Sequence, residues 1–294
     1  MASSLKKNLA VLFGASCTAL SLALSVAAPV HADEEPGGAA VACSTTPTGN
    51  TSRRVDNFDG RYYRVYVPAG IPAAGAPLVV AIHGGLGSPE GIEAQSGWNA
   101  VARQQKAIVV YPRGSKPEGS GWGWDAGAGA YDNTHIKKVV ADVRTKYCVN
   151  PNRIHLSGHS NGGQMASRVA CEDPAPNPGI FASGAVYAPA PPPTGCNPAR
   201  AISWGVFASA ADLTVPEPIA YSHVMYWSWE NRPCQNEQAD GGTDVKDSRR
   251  WDCASGTRVL WRVYNDGGHN WPPEPRRTEI LNRMWTLFQA HPRP

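Results

Sequence analysis

The segment Gly158-His159-Ser160-Asn161-Gly162 matches the pattern G-x-S-x-G and places a serine where a nucleophile could act. The run before it, residues 153–157, is typical of a strand, and residues 163–170 are typical of a helix. A serine at such a turn is exposed at the end of a sheet, beside unpaired helix N–H groups. Ser160 is therefore the candidate nucleophile. The alternative is a glycine-rich turn in which the serine only caps a helix.

A serine nucleophile needs a general base and an acid that orients the base, and each is expected in a loop after a strand. Asp212 follows the apolar run 202–207, and His269 lies in a glycine-rich loop after the strand-like run 258–264. Imidazole titrates near neutral pH, which suits a general base. We predict that Asp212 orients His269. The alternatives are a helix-capping or loop aspartate and a surface-loop histidine.

A hydrolase of this kind also needs backbone N–H groups that bind the developing oxyanion. His83-Gly84-Gly85 follows the apolar run 78–82, and its glycines let backbone N–H groups approach a substrate oxygen. We predict that the amides of Gly85 and Asn161 form the oxyanion hole. The side chain of His83 is expected to be structural.

Three tryptophans lie in loops near these candidates. Trp122 and Trp124 belong to a glycine-aromatic loop, and Trp271 follows the His269 loop. We predict that they bind substrate, because aromatic faces can stack on an acyl or aryl group. The alternative is a packed loop in which the tryptophans only bury area.

The elements that must position these residues alternate between strand-like and helical runs after a first hairpin. This order predicts an α/β fold with a mostly parallel sheet and helices on both faces. Sites in such sheets lie beyond the carboxyl ends of the strands. Every candidate above follows a strand.

The amino terminus has the pattern of an export signal. Two lysines precede an apolar stretch, and Val30-His31-Ala32 resembles a cleavage site. We predict a signal peptide at 1–32, a flexible leader at 33–53 and one catalytic domain at 54–294. The alternative for the first segment is a membrane anchor. After processing we expect no membrane span and a secreted, extracellular monomer. The formal net charge is +3 and the basic residues are scattered along the sequence, so no nucleic-acid partner is expected.

Six cysteines remain after the predicted cleavage, and an even number in an exported chain favours disulfides. Fifteen connectivities are possible in principle. Pairing neighbours first gives Cys171–Cys196, Cys234–Cys253 and Cys43–Cys148. A metal site is the weaker alternative, because the sequence has no C-x-x-C spacing.

Four segments together resemble a known esterase family: His83-Gly84-Gly85, Gly158 to Gly163, Ala211 to Pro216 and Gly267 to Pro272. The family includes single-domain polyhydroxybutyrate depolymerases and feruloyl or acetylxylan esterases. The resemblance implies an α/β-hydrolase fold, a triad of Ser160, Asp212 and His269, and no cofactor or metal.

The function predicted from these observations is that of a secreted serine carboxylesterase. Its partner would be an oligomeric or polymeric ester, either of hydroxyalkanoates or of a feruloylated or acetylated polysaccharide. Two alternatives stay open. One is a secreted peptidase on the same fold, and the other is a catalytically dead protein that binds carbohydrate or a surface.

Overall fold

The computed structural model describes residues 43–55, 60–173, 179–239, 241–242 and 244–294. Its strands, in chain order, are β1 (Gly49–Arg54), β2 (Tyr62–Val67), β3 (Ala76–Ile82), β4 (Ile108–Pro112), β5 (Lys116–Glu118), β6 (Gly121–Gly123), β7 (Val149–His159), β8 (Ser183–Tyr187), β9 (Ser203–Ser209), β10 (Cys234–Ala239), β11 (Val245–Cys253) and β12 (Arg258–Tyr264). Its α-helices are α1 (Pro89–Ser96), α2 (Trp98–Gln105), α3 (Tyr131–Lys146), α4 (Asn161–Cys171), α5 (Glu217–Glu230) and α6 (Arg276–Ala290).

Ten of these strands form one sheet in the order β1-β2-β4-β3-β7-β8-β9-β12-β11-β10. The six central strands, from β4 to β12 in that order, run parallel. The outer strands pair antiparallel with their neighbours. Strands β5 and β6 form a separate hairpin. The prediction of a mostly parallel α/β sheet is therefore confirmed.

The central strands are buried on both faces, which explains their continuous apolar runs. Every residue of β3, β4, β8 and β9 is buried. One face of the sheet packs against α3, α4 and α5, through side chains such as Ile136, Met165 and Trp227. The other face packs against α1, α2 and α6, through side chains such as Ile92, Trp98 and Phe288. Two helical layers therefore cover the sheet.

The structure corrects the predicted flexible leader, 33–53, over its described part. Strand β1 pairs along its whole length with β2, from Gly49 opposite Val67 to Arg54 opposite Tyr62. Further upstream, a disulfide joins Cys43 to Cys148. Backbone pairing and a covalent link therefore attach residues 43–54 to the domain, which the polar composition of this segment does not indicate. The predicted signal peptide, 1–32, lies outside the described residues.

Three disulfides are present among the described residues, and they join the pairs that the sequence analysis proposed. Besides Cys43–Cys148, they are Cys171–Cys196 and Cys234–Cys253. The last pair links directly opposed residues of β10 and β11. No helix in the described part of the chain is long and apolar enough to cross a membrane.

The strand order brings the candidate residues to one edge of the sheet. The loops after β3, β7, β9 and β12 carry the glycine-rich turn, Ser160, Asp212 and His269, respectively. Because these strands are parallel, their carboxyl ends face the same edge.

Candidate active site

Ser160 lies between the end of β7 and the start of α4, in a strained backbone conformation. Its φ and ψ angles are 54° and −124°, a region that residues other than glycine rarely adopt. A Cβ at Gly158 would collide with the carbonyl oxygen of Gly162, and one at Gly162 with that of His83. The two glycines of the motif are therefore required by close backbone approach. The turn pushes the serine hydroxyl out of the sheet.

Ser160, His269 and Asp212 form a continuous chain of hydrogen bonds. The Ser160 hydroxyl donates to His269 Nε2 over 2.9 Å, and His269 Nδ1 donates to Asp212 Oδ2 over 2.8 Å. Asp212 Oδ1 accepts from the amides of Thr214 and Val215, at 2.8 Å each. The Asp212 carboxylate is fully buried, and the His269 side chain is 19% exposed. This arrangement allows the imidazole to take a proton from the serine while the carboxylate fixes its tautomer.

Side chains from two other strands hold the loop that carries His269. Ser209 Oγ donates to the carbonyl of Asp266 over 2.8 Å and accepts from the amide of Gly268 over 3.0 Å. The Tyr187 hydroxyl donates to the Gly268 carbonyl over 3.1 Å. Ser209 ends β9 and Tyr187 ends β8. The loop that carries His269 is therefore attached to the sheet at several points.

His159 adds a direct link between the nucleophile turn and the same loop. Its Nε2 donates to the carbonyl oxygen of His269 over 2.7 Å. Its ring is stacked with Tyr187 and lies 6.2 Å from the ring of Trp271. Burial lowers the pKa of His159 to about 4, so the ring is neutral at pH 7. The sequence analysis assigned His159 no role, and the structure shows its side chain hydrogen-bonded to the backbone of His269, the predicted general base.

The predicted oxyanion hole lies where the turn after β3 meets the start of α4. An ideal Cβ built on Gly85 lies 4.0 Å from Asn161 Cβ, so the two backbones are close neighbours. Asn161 is the first residue of α4, so its amide has no partner within the helix. The two residues that are predicted to supply the oxyanion-hole amides are therefore neighbours in the structure.

His83 is structural in this arrangement, as expected. Its Nδ1 donates to the Gly84 carbonyl over 2.7 Å, and its Nε2 accepts from the Gly114 amide over 3.1 Å. Burial lowers the pKa of His83 to about 4, which keeps this neutral tautomer at pH 7.

The structure corrects the prediction that Trp124 binds substrate. Its side chain is 2% exposed, so it offers almost no surface to a ligand. Its Nε1 donates to the His83 carbonyl over 2.8 Å, and its backbone amide donates to Asn161 Oδ1 over 2.7 Å. Trp124 thus connects the two sides of the predicted oxyanion hole. The local sequence, a loop of glycines and aromatic residues, does not predict that Trp124 is buried.

The other two tryptophans have limited free surface. Trp122 is half-buried, with the Arg113 guanidinium 3.9 Å from its ring centroid. Trp271 is 9% exposed and stacks on Tyr187 at 5.2 Å. The sequence analysis missed two exposed apolar side chains beside the site. Leu86 follows Gly85 and is 68% exposed, and Leu213 follows Asp212 and is 93% exposed.

Among the described residues, no group of three or more His, Cys, Asp or Glu side chains could hold a metal ion. The polar groups of the site are instead bonded to one another.

Comparison with known proteins relates this arrangement to esterases. A family model described as esterase PHB depolymerase matches residues 61–191, which include the turn after β3 and the Ser160 motif. The putative esterase NocK of Nocardia uniformis subsp. tsuyamanensis is 31% identical over 255 residues. That match covers 72% of this chain and 71% of NocK.

A second relative is much longer than this chain. The bifunctional acetylxylan esterase/xylanase XynS20E of Neocallimastix patriciarum is 29% identical over 141 residues. The match spans 45% of this chain but only 20% of that protein.

Among solved structures, an acetyl xylan esterase from Aspergillus awamori superposes with a TM-score of 0.64 at 18% identity. The superposition covers 83% of this chain and all of that chain. At this identity the likeness supports the α/β-hydrolase fold alone. The family model and the extended match to NocK carry the family assignment: this chain is a member of the esterase PHB depolymerase family, whose fold is that of the α/β-hydrolases.

Proposed function

We propose that this protein is a secreted serine carboxylesterase in which Ser160 is the nucleophile, His269 the general base and Asp212 the residue that orients the base. The observation that carries the proposal is the hydrogen-bonded chain from Ser160 Oγ through His269 to Asp212 Oδ2. Both of its links have ordinary hydrogen-bond lengths. Membership of an esterase family supports the same reaction.

The reaction has two halves. Ser160 Oγ attacks the ester carbonyl while His269 Nε2 takes its proton, and the amides of Gly85 and Asn161 bind the resulting oxyanion. The intermediate collapses to an acyl-enzyme as the protonated His269 gives its proton to the departing alcohol. A water molecule then attacks the acyl group, with His269 again acting as base. The acid is released, and Ser160 regains its proton.

The surroundings of the site favour small aliphatic acyl groups over a feruloyl group. Trp124 is buried, and Trp122 and Trp271 are partly covered by their neighbours, so little aromatic surface is free to stack on an aryl ring. Leu86 and Leu213 instead provide exposed aliphatic surface beside the site. We therefore place acetyl esters of polysaccharides and hydroxyalkanoate oligomers or polyester ahead of feruloyl esters as substrates.

A panel of substrates tests the activity. We expect the purified protein to hydrolyse 4-nitrophenyl acetate and butyrate, and either hydroxybutyrate oligomers or acetylated xylan, faster than methyl ferulate. A fluorophosphonate should label one site per chain, and S160A should lose the label. Cleavage of peptide anilides without ester hydrolysis would favour a peptidase. A folded protein with neither label nor turnover would favour a non-catalytic binding protein.

Secretion is part of the proposal and has its own test. It is supported by the predicted cleavage site after Ala32 and by three disulfides in the described residues. We expect an exported chain that begins at Asp33 and has no free thiol. Amino-terminal sequencing and thiol titration of the denatured, unreduced protein measure both. Two or more reactive thiols per chain would contradict full pairing.

A further inference from the structure

Glu118 places a carboxylate against the loop of the proposed oxyanion hole. It is the last residue of β5, and the β5–β6 hairpin is bonded to that loop through its second strand. The Trp122 amide donates to the Gly87 carbonyl over 2.8 Å, and the Gly87 amide donates to the Trp122 carbonyl over 3.2 Å. The hairpin therefore extends the glycine loop sideways and fixes where the Glu118 side chain lies.

The Glu118 carboxylate lies close both to the glycine loop after β3 and to β6. Its Oε2 accepts from the Leu86 amide over 3.0 Å. An ideal Cβ on Gly85 would lie 3.0 Å from the same oxygen, and one on Gly123 would overlap the carboxylate. The two glycines thus leave the space that the charged group occupies. The carboxylate therefore lies beside Gly85, whose amide is a proposed oxyanion donor.

This contact has a structural benefit. Leu86 has a φ of 58°, a left-handed conformation that is unfavourable for a leucine. The hydrogen bond from its amide to Glu118 stabilises that turn. The same carboxylate, however, adds a negative charge next to the position where the reaction develops one.

The charge should therefore affect which esters react. Two like charges about 6 Å apart in a partly buried site repel by an energy that corresponds to roughly a hundredfold in rate, and solvent reduces this toward tenfold. An uncharged ester places a single negative charge near Glu118, in the transition state. An ester with its own carboxylate near the scissile bond places a second one there.

We propose that Glu118 is a specificity-determining residue that disfavours esters carrying a second negative charge near the scissile carbonyl. This inference rests on the proposed esterase function and narrows its substrate class to uncharged esters. For a hydroxyacid oligomer, the ester bond next to the free carboxyl end would be the poorest substrate.

Two pairs of substrates that differ in charge test the inference on each side of the ester bond. On the acyl side, mono(4-nitrophenyl) adipate is compared with its methyl ester, and release of nitrophenol is measured. On the alcohol side, the 3-hydroxybutyrate dimer is compared with its methyl ester, and cleavage of the internal ester is measured. We expect the wild type to prefer the uncharged member of at least one pair by tenfold or more in kcat/KM. In E118Q, which keeps an acceptor for the Leu86 amide, that preference should shrink by about tenfold.

D125N is the matched control, because Asp125 is an exposed carboxylate of the following loop, paired with Lys116 at 3.5 Å. Its substrate preference should equal that of the wild type. If E118Q does not fold, the wild type still provides a test. Raising the salt concentration should weaken its preference for the uncharged ester, because salt screens the repulsion. Equal rates within both pairs for the wild type, or an unchanged ratio in an active E118Q, would overturn the inference. Absence of hydrolysis of the uncharged esters would instead contradict the proposed function.

Discussion

Ser160 and His269 share one hydrogen bond, yet the segments that carry them are held in place by different means. The nucleophile turn is fixed by close backbone packing, since a side chain at Gly158 would collide with the Gly162 carbonyl and one at Gly162 with the carbonyls of Ile82 and His83. The His269 loop is fixed by side chains from elsewhere, namely Ser209, Tyr187 and His159. The first half of the site is thus determined by close backbone approach, within the turn at Gly158 and against the end of β3 at Gly162, and the second depends on side chains from three other strands.

The two halves should respond differently to substitution. A substitution in the backbone-defined half should cause a large loss of stability or activity, because a buried main-chain turn has no alternative conformation. A substitution in the side-chain-defined half should cause a smaller loss of activity, because several hydrogen bonds together hold the His269 loop.

The largest effect is expected for S160A. Loss of the nucleophile should lower kcat by about 10⁶, or about 8 kcal/mol of transition-state stabilisation. The measurement is the rate of 4-nitrophenyl butyrate hydrolysis, with urea unfolding as the control for the fold. Activity above about a hundredth of the wild type would show that another residue is the nucleophile.

A stability effect tests the backbone-defined half. In G162A the new methyl group would collide with the carbonyl oxygens of Ile82 and His83. We expect the free energy of unfolding to fall by about 3 kcal/mol or more. The measurement is the urea midpoint. G241A is the matched control, because a Cβ at Gly241 has no atom within 4 Å, and it should change stability by under about 1 kcal/mol. Equal midpoints for the two variants would contradict the steric argument.

The two halves also differ in how well the sequence predicts them. The strand, the glycines and the helix that position Ser160 are adjacent in the chain, so their spacing indicates the turn. The alternating runs likewise predict the parallel sheet. Asp212 and His269 could be proposed because each follows a strand. Their distance from Ser160 follows from the strand order, which the sequence does not state.

The contacts that hold the base loop were not predictable from spacing. Ser209 and Tyr187 end buried strands and have no motif of their own, and they reach the His269 loop only after β8, β9 and β12 pair. The burial of Trp124 and the pairing of β1 with β2 could not be predicted for the same reason. Each depends on a neighbour distant in sequence, whereas composition describes only the local segment.

Acid should destabilise the protein through three buried histidines. Burial lowers the pKa of His83, His159 and His223 to about 4, against 6.5 for an exposed ring. Between pH 6.5 and 4 the unfolded chain therefore binds more protons than the folded one. The corresponding stability is complete above pH 6.5 and is lost as the pH falls toward 4, on the order of 2–3 kcal/mol per histidine.

His223 provides a test away from the site, because it lies in α5 and bonds Ser167 and the Ala190 carbonyl. In H223Q one titrating group is missing. The stability of the wild type should fall relative to the variant by about 1.4 kcal/mol per pH unit within this window. Urea unfolding at pH 7, 5.5 and 4.5 measures the difference. A constant difference across these pH values would show that His223 is not buried in its neutral form.

The smallest effect is expected in the side-chain-defined half, for S209A. This change removes two hydrogen bonds to the His269 loop, to the Asp266 carbonyl and from the Gly268 amide, while the bonds from Tyr187 and His159 remain. Each such hydrogen bond contributes about 1 kcal/mol net, so we expect kcat to fall by at most about thirtyfold with little change in KM. S222A is the control, because the exposed Ser222 hydroxyl bonds only a carbonyl of its own helix. If S209A matches S222A in kcat, Tyr187 and His159 suffice to hold the loop. If it falls as far as S160A, the loop has no shared support, and the distinction between the two halves fails.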